Sequence, residues 1–283
     1  PEKVLDFFKR HPREDFKWLR VGVRFPEYPE YYSDHMDLQF IVDRGDVWYD
    51  PPFNSKGKRI HQRRARMPKA YLVLNYRDQQ FRLMRWPTTI GGWREDLAPN
   101  GYLYMKYKGS DVGKRVIRKI IAGPTWVPPT TTPLKALAKR RYINGKKQGV
   151  VNYNEMGPGY LSAYGLVAGY FVIPGKADDG SRDNDRGIRA HGSSDYMSIL
   201  SSRRFSHGCH RLMNHHAIRL YGFLLNHRTM KVVGDQPINH SRQFLYNDEV
   251  FEIRLPSRGF RYDLTPPLPV TVLEGRIKGD LKK

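Results

Sequence analysis

The chain contains a single cysteine, Cys209, among its 283 residues. One thiol excludes an internal disulfide framework, and it excludes zinc or iron–sulfur sites that are built from several cysteines. The longest nearly apolar run, residues 161–174, is shorter than the roughly 20 residues that a membrane-spanning helix needs. The lone thiol is therefore either a buried packing residue or a nucleophile, and its surroundings decide between the two.

Acidic residues are scarce relative to basic ones. The chain carries 28 Asp and Glu against 49 Lys and Arg, a formal net charge of +21. The imbalance is concentrated in residues 51–160, where 23 basic and 5 acidic residues give a net charge of +18. Such a field favours a polyanionic partner, which is a nucleic acid, a membrane surface or an acidic polymer of the cell envelope.

The apolar content is high enough to exclude a disordered chain, since 39% of the residues are hydrophobic and 13% are aromatic. Short alternating runs punctuated by Gly and Pro predict a mainly β fold. Hairpins are predicted at residues 70–84 and at residues 39–49, the second around Arg44-Gly45. Residues 164–172 predict a buried strand, and residues 236–283 predict further strands with a proline-rich turn at 265–269.

Helices are predicted in three places. Residues 1–20 predict one short helix broken by Pro12, and residues 134–142 predict a short helix with a strongly basic face. The clearest helix spans residues 214–226, because its apolar residues share one face: Ala217, Leu220, Tyr221, Leu224 and Leu225.

The segment around Cys209 combines groups that activate a thiol. A thiol becomes a good nucleophile as a thiolate, which needs an adjacent base or a positive field. His207 lies two residues before Cys209, and His191 lies 18 residues before it. Gly208 permits a tight turn in which backbone N–H groups converge, as an oxyanion hole requires. The positive end of the helix that begins at Asn214 is also expected to favour the thiolate.

Two segments together resemble the signature of the L,D-transpeptidase catalytic domain, the YkuD-like family. They are His191-Gly192-Ser193 and, after a loop, Ser206-His207-Gly208-Cys209-x-Arg211. The hairpin at residues 70–83, the turn at residues 98–102 and the segments 124–129 and 157–166 resemble other parts of that domain. The chain departs from the family at His210, where the family usually has an apolar residue, and in a basic insertion at residues 135–147.

The resemblance covers residues 69–235 and implies a mainly β fold with some α-helix. The catalytic domain would be a YkuD-like mixed β-sandwich with a helix following the catalytic cysteine. Residues 1–68 would form an N-terminal extension that ends in a basic linker at residues 50–68, and residues 236–283 a C-terminal β extension.

Carried over residue by residue, the resemblance implies that Cys209 is the nucleophile and that His191 is its general base. The backbone carbonyl of Gly192 would hold the imidazole in the tautomer that accepts the thiol proton.

The remaining residues of the motif take supporting roles by the same resemblance. His207 would line the oxyanion site together with the backbone amides of Gly208 and Cys209. Arg211 would hold a substrate carboxylate by a bidentate pairing that lysine does not reproduce. Ser206 would fix the loop by hydrogen bonding.

The resemblance implies a peptidoglycan substrate and the bacterial periplasm or cell envelope as the location. Cys209 would attack the carbonyl of the third stem residue, diaminopimelate, and expel the terminal D-alanine. The thioester would pass to an amine, which gives a 3→3 cross-link or an exchanged D-amino acid, without a cofactor or metal. Because the chain begins at Pro1, we expect that a signal segment is not part of this sequence.

The acceptor and the oligomeric state are left open by the sequence. With water as acceptor the protein would be an L,D-carboxypeptidase, and with a protein lysine it would anchor a protein to the wall. The basic surface would hold anionic envelope polymers or a membrane surface.

Two readings from other classes are weaker. The basic residues of 51–160 are interleaved with aromatic residues, as in nucleic-acid-binding modules, but no zinc-finger, helix-turn-helix or RNA-recognition signature is found, so no nucleic-acid partner is expected. Four histidines lie near Cys209, namely His207, His210, His215 and His216. They lack the spacing of metal ligands, so no metal is expected.

Overall fold

The structure is a computed structural model that describes residues 2–11, 27–48, 53–58, 64–177, 180–201 and 206–278. The chain divides into two compact units, Pro1–Tyr32 and Ser33–Lys283. The first unit contains helix α1 (Glu2–Arg10) and a stacked pair of rings, Tyr28 and Tyr32. The helix predicted near the start of the chain is therefore present, whereas Pro12 lies outside the described residues.

The second unit is built mainly from strands. Its helices are α2 (Leu134–Leu137), α3 (Tyr153–Met156), α4 (Tyr196–Ser201) and α5 (Asn214–Asn226). Its strands are β1 (Leu38–Asp43), β2 (Asp46–Trp48), β3 (Arg64–Arg66), β4 (Lys69–Tyr76), β5 (Gln79–Pro87), β6 (Gly91–Leu97), β7 (Leu103–Gly109), β8 (Gly113–Ala122), β9 (Ala138–Ile143), β10 (Lys146–Val151), β11 (Val167–Val172), β12 (Arg189–Ser193), β13 (His210–Met213), β14 (Thr229–Tyr246), β15 (Glu249–Val272) and β16 (Arg276–Lys278).

Nine strands form one mixed sheet in the order β13-β12-β11-β8-β15-β1-β4-β5, with β14 paired to β15. The pairs β12/β13 and β1/β15 are parallel, and the other pairs of this sheet are antiparallel. Smaller sheets join β6 to β7, β9 to β10, and β2 to β3 and β16. The expectation of a mainly β fold with a few helices is confirmed.

Strands from before and after residues 69–235, the segment that resembles the catalytic domain, belong to the same nine-stranded sheet as the strands within it. Strand β1 lies between β15 and β4, and Phe40 on β1 contacts the ring of Phe171 on β11 edge to face at 6.0 Å. The strands predicted over residues 236–283 are present as most of β14 and all of β15. The nine-stranded sheet therefore combines strands from widely separated parts of the chain, from β1 at Leu38 to the end of β15 at Val272.

One predicted hairpin is confirmed and one is wrong. Strands β4 and β5 pair around Arg77 and Asp78, which both adopt the left-handed conformation of a tight hairpin turn. The hairpin predicted at residues 39–49 does not form, because β1 joins the main sheet whereas β2 pairs with β3 and β16. The chain changes sheets at Gly45, whose φ is +75° and where a Cβ would lie 2.2 Å from the carbonyl oxygen of Arg66. The rest of that segment, from residue 49, lies outside the described residues.

The basic helix predicted at residues 134–142 is also wrong. Helix α2 ends at Leu137, and the basic residues that follow lie on strand β9, which pairs with β10. The turn between them is Asn144-Gly145, with φ of 50° and 76°. Asn-Gly is a strong short-range hairpin signal, and it outweighs the helical propensity of Ala, Lys and Arg.

The proline-rich turn predicted at residues 265–269 is instead an irregularity within β15. The pairing of β15 with β8 shifts between Asp263 and Leu268. The side chain of Arg228 donates to the carbonyl oxygens exposed there, at 2.8 Å to Pro266 and 3.0 Å to Pro267.

Helix α5 has the predicted bounds and buries Ala217, Leu220, Tyr221 and Leu224. It packs on β11 and β12, where the Tyr221 hydroxyl donates to the Ala190 carbonyl at 2.7 Å. The Tyr221 ring lies over Gly169, where a Cβ would be 2.4 Å from the hydroxyl oxygen. This packing fixes the strand that carries His191.

Candidate active site

Strands β12 and β13 bring the two motif segments together. They are parallel neighbours at one edge of the main sheet, with Ala190 opposite His210 and His191 opposite Arg211. Cys209 lies directly before β13. His191 on β12 and Cys209, at the start of the neighbouring strand, are therefore brought to the same edge of the sheet although 18 positions separate them in the sequence.

The tautomer of His191 follows from its hydrogen bond. Nδ1 lies 2.8 Å from the carbonyl oxygen of Gly192, and a carbonyl oxygen only accepts, so Nδ1 carries the proton and Nε2 is left as an acceptor. The residue is only 2% exposed. Burial and the positive charge of Arg211 lower the pKa of His191 to about 3, so the ring is neutral at neutral pH.

The carbonyl of Gly192 is held in place by close packing. A Cβ on Gly192 would lie 2.3 Å from Oδ1 of Asn214, the first residue of α5. The Asn214 side chain accepts from the Leu166 amide at 3.1 Å and donates to the Tyr160 carbonyl at 3.0 Å. Only glycine at position 192 leaves room for this bridge.

Cys209 is 8% exposed, and its Sγ donates to the carbonyl oxygen of Gly187 at 3.5 Å. Burial raises the pKa of the thiol above its ordinary value of 9.0, and the charges of Arg189 and Arg211 oppose that rise. The four residues of β13, about 13 Å of extended chain, separate Cys209 from α5. The nearest positive charges are thus guanidinium groups.

The two arginines differ in how far they are already satisfied. Arg189 forms a bidentate pair with Asp185 at 2.6 and 2.7 Å and lies over the Tyr170 ring at 3.7 Å. The closest ion pair of Arg211 is with Asp195 at 3.9 Å. The buried Nε atoms of both arginines make no hydrogen bond to any residue that the structure describes, so the difference lies in their terminal N–H groups. Arg211 therefore has donors left for a ligand carboxylate, whereas Arg189 is committed to Asp185.

The loop before the thiol contains Ser206, His207 and Gly208. Gly208 has a φ of +103°, and a Cβ there would lie 2.8 Å from the carbonyl oxygen of Gly109 at the end of β7, so only glycine fits. His207 is partly exposed to solvent. The buried part of its ring and nearby cations, which include Arg94, lower its pKa to about 4. Ser206 is buried, and its Oγ bonds to none of the described residues; residues 202–205 are outside them.

Two threonines that the sequence did not single out hold the Cys209 loop. Thr89 Oγ1 donates to the Cys209 carbonyl at 3.0 Å and accepts from the Arg211 amide at 3.0 Å. The Thr89 carbonyl accepts from His210 Nδ1 at 3.1 Å, and Thr88 Oγ1 donates to the Arg211 carbonyl at 2.9 Å. In the sequence, Thr88 and Thr89 precede Gly91-Gly92, a pattern that is typical of the end of a strand and does not indicate a functional residue.

Further charged groups surround Arg211. Burial and the charge of Arg211 lower the pKa of Arg94, on β6, to about 10, while Asp195 and Glu155 act in the opposite direction. Burial raises the pKa of Glu155, on α3. Nothing in the sequence pattern groups these residues, since they come from separate elements.

The aromatic wall of the site is Tyr164, whose ring contacts that of His191 edge to face at 5.0 Å. Burial raises the pKa of its hydroxyl above the ordinary value of 10.0, and the neighbouring Cys209 acts in the same direction. Tyr164 therefore stays neutral beside the thiol and the imidazole. The sequence marked this residue only as part of a buried strand.

The histidines near Cys209 have separate structural settings. His210 is fully buried against Phe171, whereas His216 stacks on Trp86 at 4.2 Å and contacts the exposed His215 edge to face at 4.2 Å. Among the described residues no group of three or more His, Cys, Asp or Glu is placed to hold a metal ion. No helix in the described part of the chain is long and apolar enough to cross a membrane.

A comparison with family models gives a match over residues 65–238, to YkuD, the L,D-transpeptidase catalytic domain. The match covers more than half of the chain and includes both motif segments. The chain belongs to the YkuD family. The resemblance stated for residues 69–235 is thereby confirmed. None of the curated proteins that were searched matches the chain.

YkuD domains are L,D-transpeptidase domains that act on the stem peptides of peptidoglycan. An L,D-transpeptidase-type activity on peptidoglycan follows for this chain. Action on the cell wall is consistent with a location in the cell envelope.

Proposed function

We propose that this YkuD domain transfers an acyl group from the third residue of a tetrapeptide stem through a thioester on Cys209. The observation that carries the proposal is the tautomer of His191. Its Nδ1 proton is committed to the Gly192 carbonyl, so Nε2 is available as a base on the strand next to the thiol.

The first step is proton transfer coupled to attack. His191 Nε2 takes the thiol proton while Sγ adds to the carbonyl carbon of diaminopimelate. The charge that develops on the carbonyl oxygen is stabilised by the backbone N–H groups of Gly208 and Cys209, with His207 at the rim. Since both the thiol and the imidazole start neutral, no separated charge is buried before the substrate arrives.

The second step is collapse of the tetrahedral intermediate. The C–N bond to the terminal D-alanine breaks, and the departing amine takes the proton from His191. This leaves the thioester and a neutral imidazole, so His191 is ready to deprotonate an acceptor amine. Attack by that amine restores the thiol and forms a 3→3 link or an exchanged terminal residue. Water would give an L,D-carboxypeptidase and a protein lysine would give wall anchoring.

Substrate placement rests on Arg211. Its terminal N–H groups, whose ion pair with Asp195 is long at 3.9 Å, favour a carboxylate of the stem, because a planar guanidinium binds carboxylate in two parallel hydrogen bonds. We place the reaction in the periplasm or cell envelope, where the basic surface meets anionic polymers or lipid headgroups.

The test is to incubate purified disaccharide-tetrapeptide with the protein and to identify the products by mass spectrometry. We expect release of D-alanine, a thioester mass on Cys209 and 3→3 dimers. The variant Cys209→Ala should lose all three while keeping the melting temperature within a few degrees. Continued D-alanine release by Cys209→Ala would refute the proposal.

The matched pair of histidine variants separates the base from its neighbours. His191→Ala should lower the acylation rate by about 10²–10⁴-fold, the usual contribution of general-base catalysis. His215→Ala, an exposed histidine at the start of α5, should stay within about threefold of the unmodified protein. Equal losses in the two variants would contradict the role of His191. His210→Ala is a poor control, since His210 is fully buried.

A further inference from the structure

Strands β9 and β10 form a basic hairpin with one packed face and one open face. On the packed face Ala138 and Val151 join a hydrophobic cluster with Phe251 and Ile253 of β15. Gly149 lies against Phe251, where a Cβ would be 2.7 Å from the ring. The orientation of the hairpin is fixed by this packing.

A cation on the packed face is already paired. Arg140 forms an ion pair with Glu249 at 3.5 Å. Because side chains alternate between the faces of a strand, the residues on either side of Arg140 point the other way.

The open face has three cations, Lys139, Arg141 and Lys146, which we call the cationic face. The register places Lys139 opposite Val150, Arg141 opposite Gln148, and Lys146 opposite Ile143. Arg141 and Lys146 are exposed, and neither forms an ion pair with a residue that the structure describes. The three cations follow the direction of β9. Arg141 lies about 7 Å from Lys139 along the strand, and Lys146, on the paired strand, lies about 13 Å from Lys139 in the same direction.

The cationic face begins at the active site. Asn152, directly before α3, donates its amide to the Leu137 carbonyl at 2.8 Å, which holds α3 beside the start of β9 and places Lys139 near Glu155. Glu155 also interacts with Arg211 and Arg94. One backbone hydrogen bond and one side-chain ion pair connect β6 to the segment that leads into β9. Leu97 on β6 donates its amide to the Thr131 carbonyl at 2.9 Å, and Lys135 on α2 pairs with Glu95.

We propose that the cationic face binds the carboxylates of a peptidoglycan strand next to the stem that is being acylated. Lys139 and Arg141 lie about 7 Å apart on one face, so two carboxylates of one stem or of neighbouring stems can be bound at the same time. The line of cations points to a narrow polycarboxylate chain rather than to a broad charged sheet. This inference rests on the proposed acyl transfer at Cys209, since it explains how a polymeric substrate is held there.

The test compares two double variants that remove the same charge. Arg141→Gln/Lys146→Gln removes the distal part of the cationic face, and Lys56→Gln/Lys231→Gln removes two exposed lysines elsewhere. Co-sedimentation with purified sacculi at 0.1 M salt should weaken at least tenfold in the first variant and less than twofold in the second. Turnover of a soluble tetrapeptide should stay within twofold in both, because its chemistry depends on the local site.

Several results would overturn the inference. One is unchanged sacculus binding by Arg141→Gln/Lys146→Gln, and another is an equal loss in the two variants, which would indicate a general charge effect. Tighter binding of the unmodified protein to anionic vesicles or duplex DNA than to sacculi would assign the face to lipid or nucleic acid instead.

The inference and the proposed acyl transfer fail in different ways. Cys209→Ala should bind sacculi normally without turnover, whereas Arg141→Gln/Lys146→Gln should turn over the soluble peptide without binding sacculi. Salt supplies a second readout, because raising it to 1 M shortens the Debye length to about 3 Å and should release the unmodified protein from sacculi.

Discussion

The thiol of Cys209 shows how burial competes with charge at a single residue. Arg189 and Arg211 both stabilise a thiolate, but the loss of water contacts outweighs them and raises the pKa of the thiol. The adjacent His191 is likewise neutral, because burial and Arg211 disfavour its charged form. Both shifts favour a neutral thiol beside a neutral base over a preformed thiolate–imidazolium pair.

A neutral resting thiol predicts the pH dependence of alkylation. The rate of Cys209 alkylation by iodoacetamide should rise about tenfold per pH unit from pH 6 to beyond 9.0, since the raised pKa keeps the thiol protonated below that value. Intact-protein mass spectrometry gives the rate, and Cys209→Ala is the blank. His191→Ala should leave the slope of the profile unchanged. A plateau between pH 5 and 8 would mean that a thiolate–imidazolium pair exists before substrate binds.

At the scale of elements, the start of β13 depends on the segment that leads into β6. Thr89 makes three contacts to this loop, two through Oγ1 and one through its carbonyl, and Thr88 adds a fourth. Thr88 and Thr89 are almost completely buried. Removing the Thr89 hydroxyl would leave a buried donor and a buried acceptor unpaired on either side of His210.

Thr89→Val is therefore expected to misplace Cys209. Val has the shape of Thr without the hydroxyl, and we expect a loss of about 1–3 kcal/mol in stability with at least a tenfold lower acylation rate. Thr89→Ser should recover most of the rate, which a loss of packing alone would not allow. The control is Thr271→Val on β15, which removes the hydrogen bond from Gln39 far along the main sheet. A rate loss in Thr271→Val equal to that of Thr89→Val would refute the positioning role.

Elements with a strong local pattern were predictable from the sequence. The apolar face of α5 predicted its bounds and four of its buried residues, whereas Leu225 on the same face is only half-buried. The turn at Arg77 and Asp78 matched the predicted hairpin. The segment after Leu137 was not predicted, because the helical propensity of its residues conflicts with the Asn144-Gly145 turn and with packing on β15. Local propensity fails there because the outcome depends on a distant strand.

The candidate site also contains residues that were predictable from the sequence and residues that were not. The resemblance to the family motif singled out Cys209 and His191 as the predicted nucleophile and base. Thr89, Arg94 and Glu155 were not predictable, because they reach the site from elements far away in the sequence. Their contribution depends on the order of strands in the sheet, which a single sequence does not specify.

The whole molecule combines a large positive charge with histidines that are kept neutral inside. The formal net charge is +21 without counting His. His191 and His210 lie on adjacent strands in the interior, where burial lowers the pKa of His191 to about 3 and that of His210 to about 4. Protonating either one would add a buried charge beside arginines. The fold is therefore expected to be sensitive to mild acid before its carboxylates titrate.

The sign of that sensitivity follows from proton binding. In the unfolded chain a histidine takes up a proton near its ordinary value of 6.5, whereas the folded chain holds His210 neutral down to about pH 4. The free energy of unfolding is therefore highest above pH 6.5. It falls as the pH drops toward 4, by about 1.4 kcal/mol per pH unit for each histidine that is buried in its neutral form. The buried His191, whose pKa is lowered to about 3, acts in the same direction.

We therefore expect the free energy of unfolding, measured by urea titration at fixed ionic strength, to fall steeply between pH 6.5 and 4.5. His210→Gln keeps a donor for the Thr89 carbonyl but does not titrate, so its loss across this window should be smaller by up to about 3 kcal/mol. His35→Gln, at an exposed histidine, should keep the full slope. Parallel curves for all three proteins would mean that His210 is protonated in the folded state, and that the interior of the sheet tolerates the charge next to the catalytic strand.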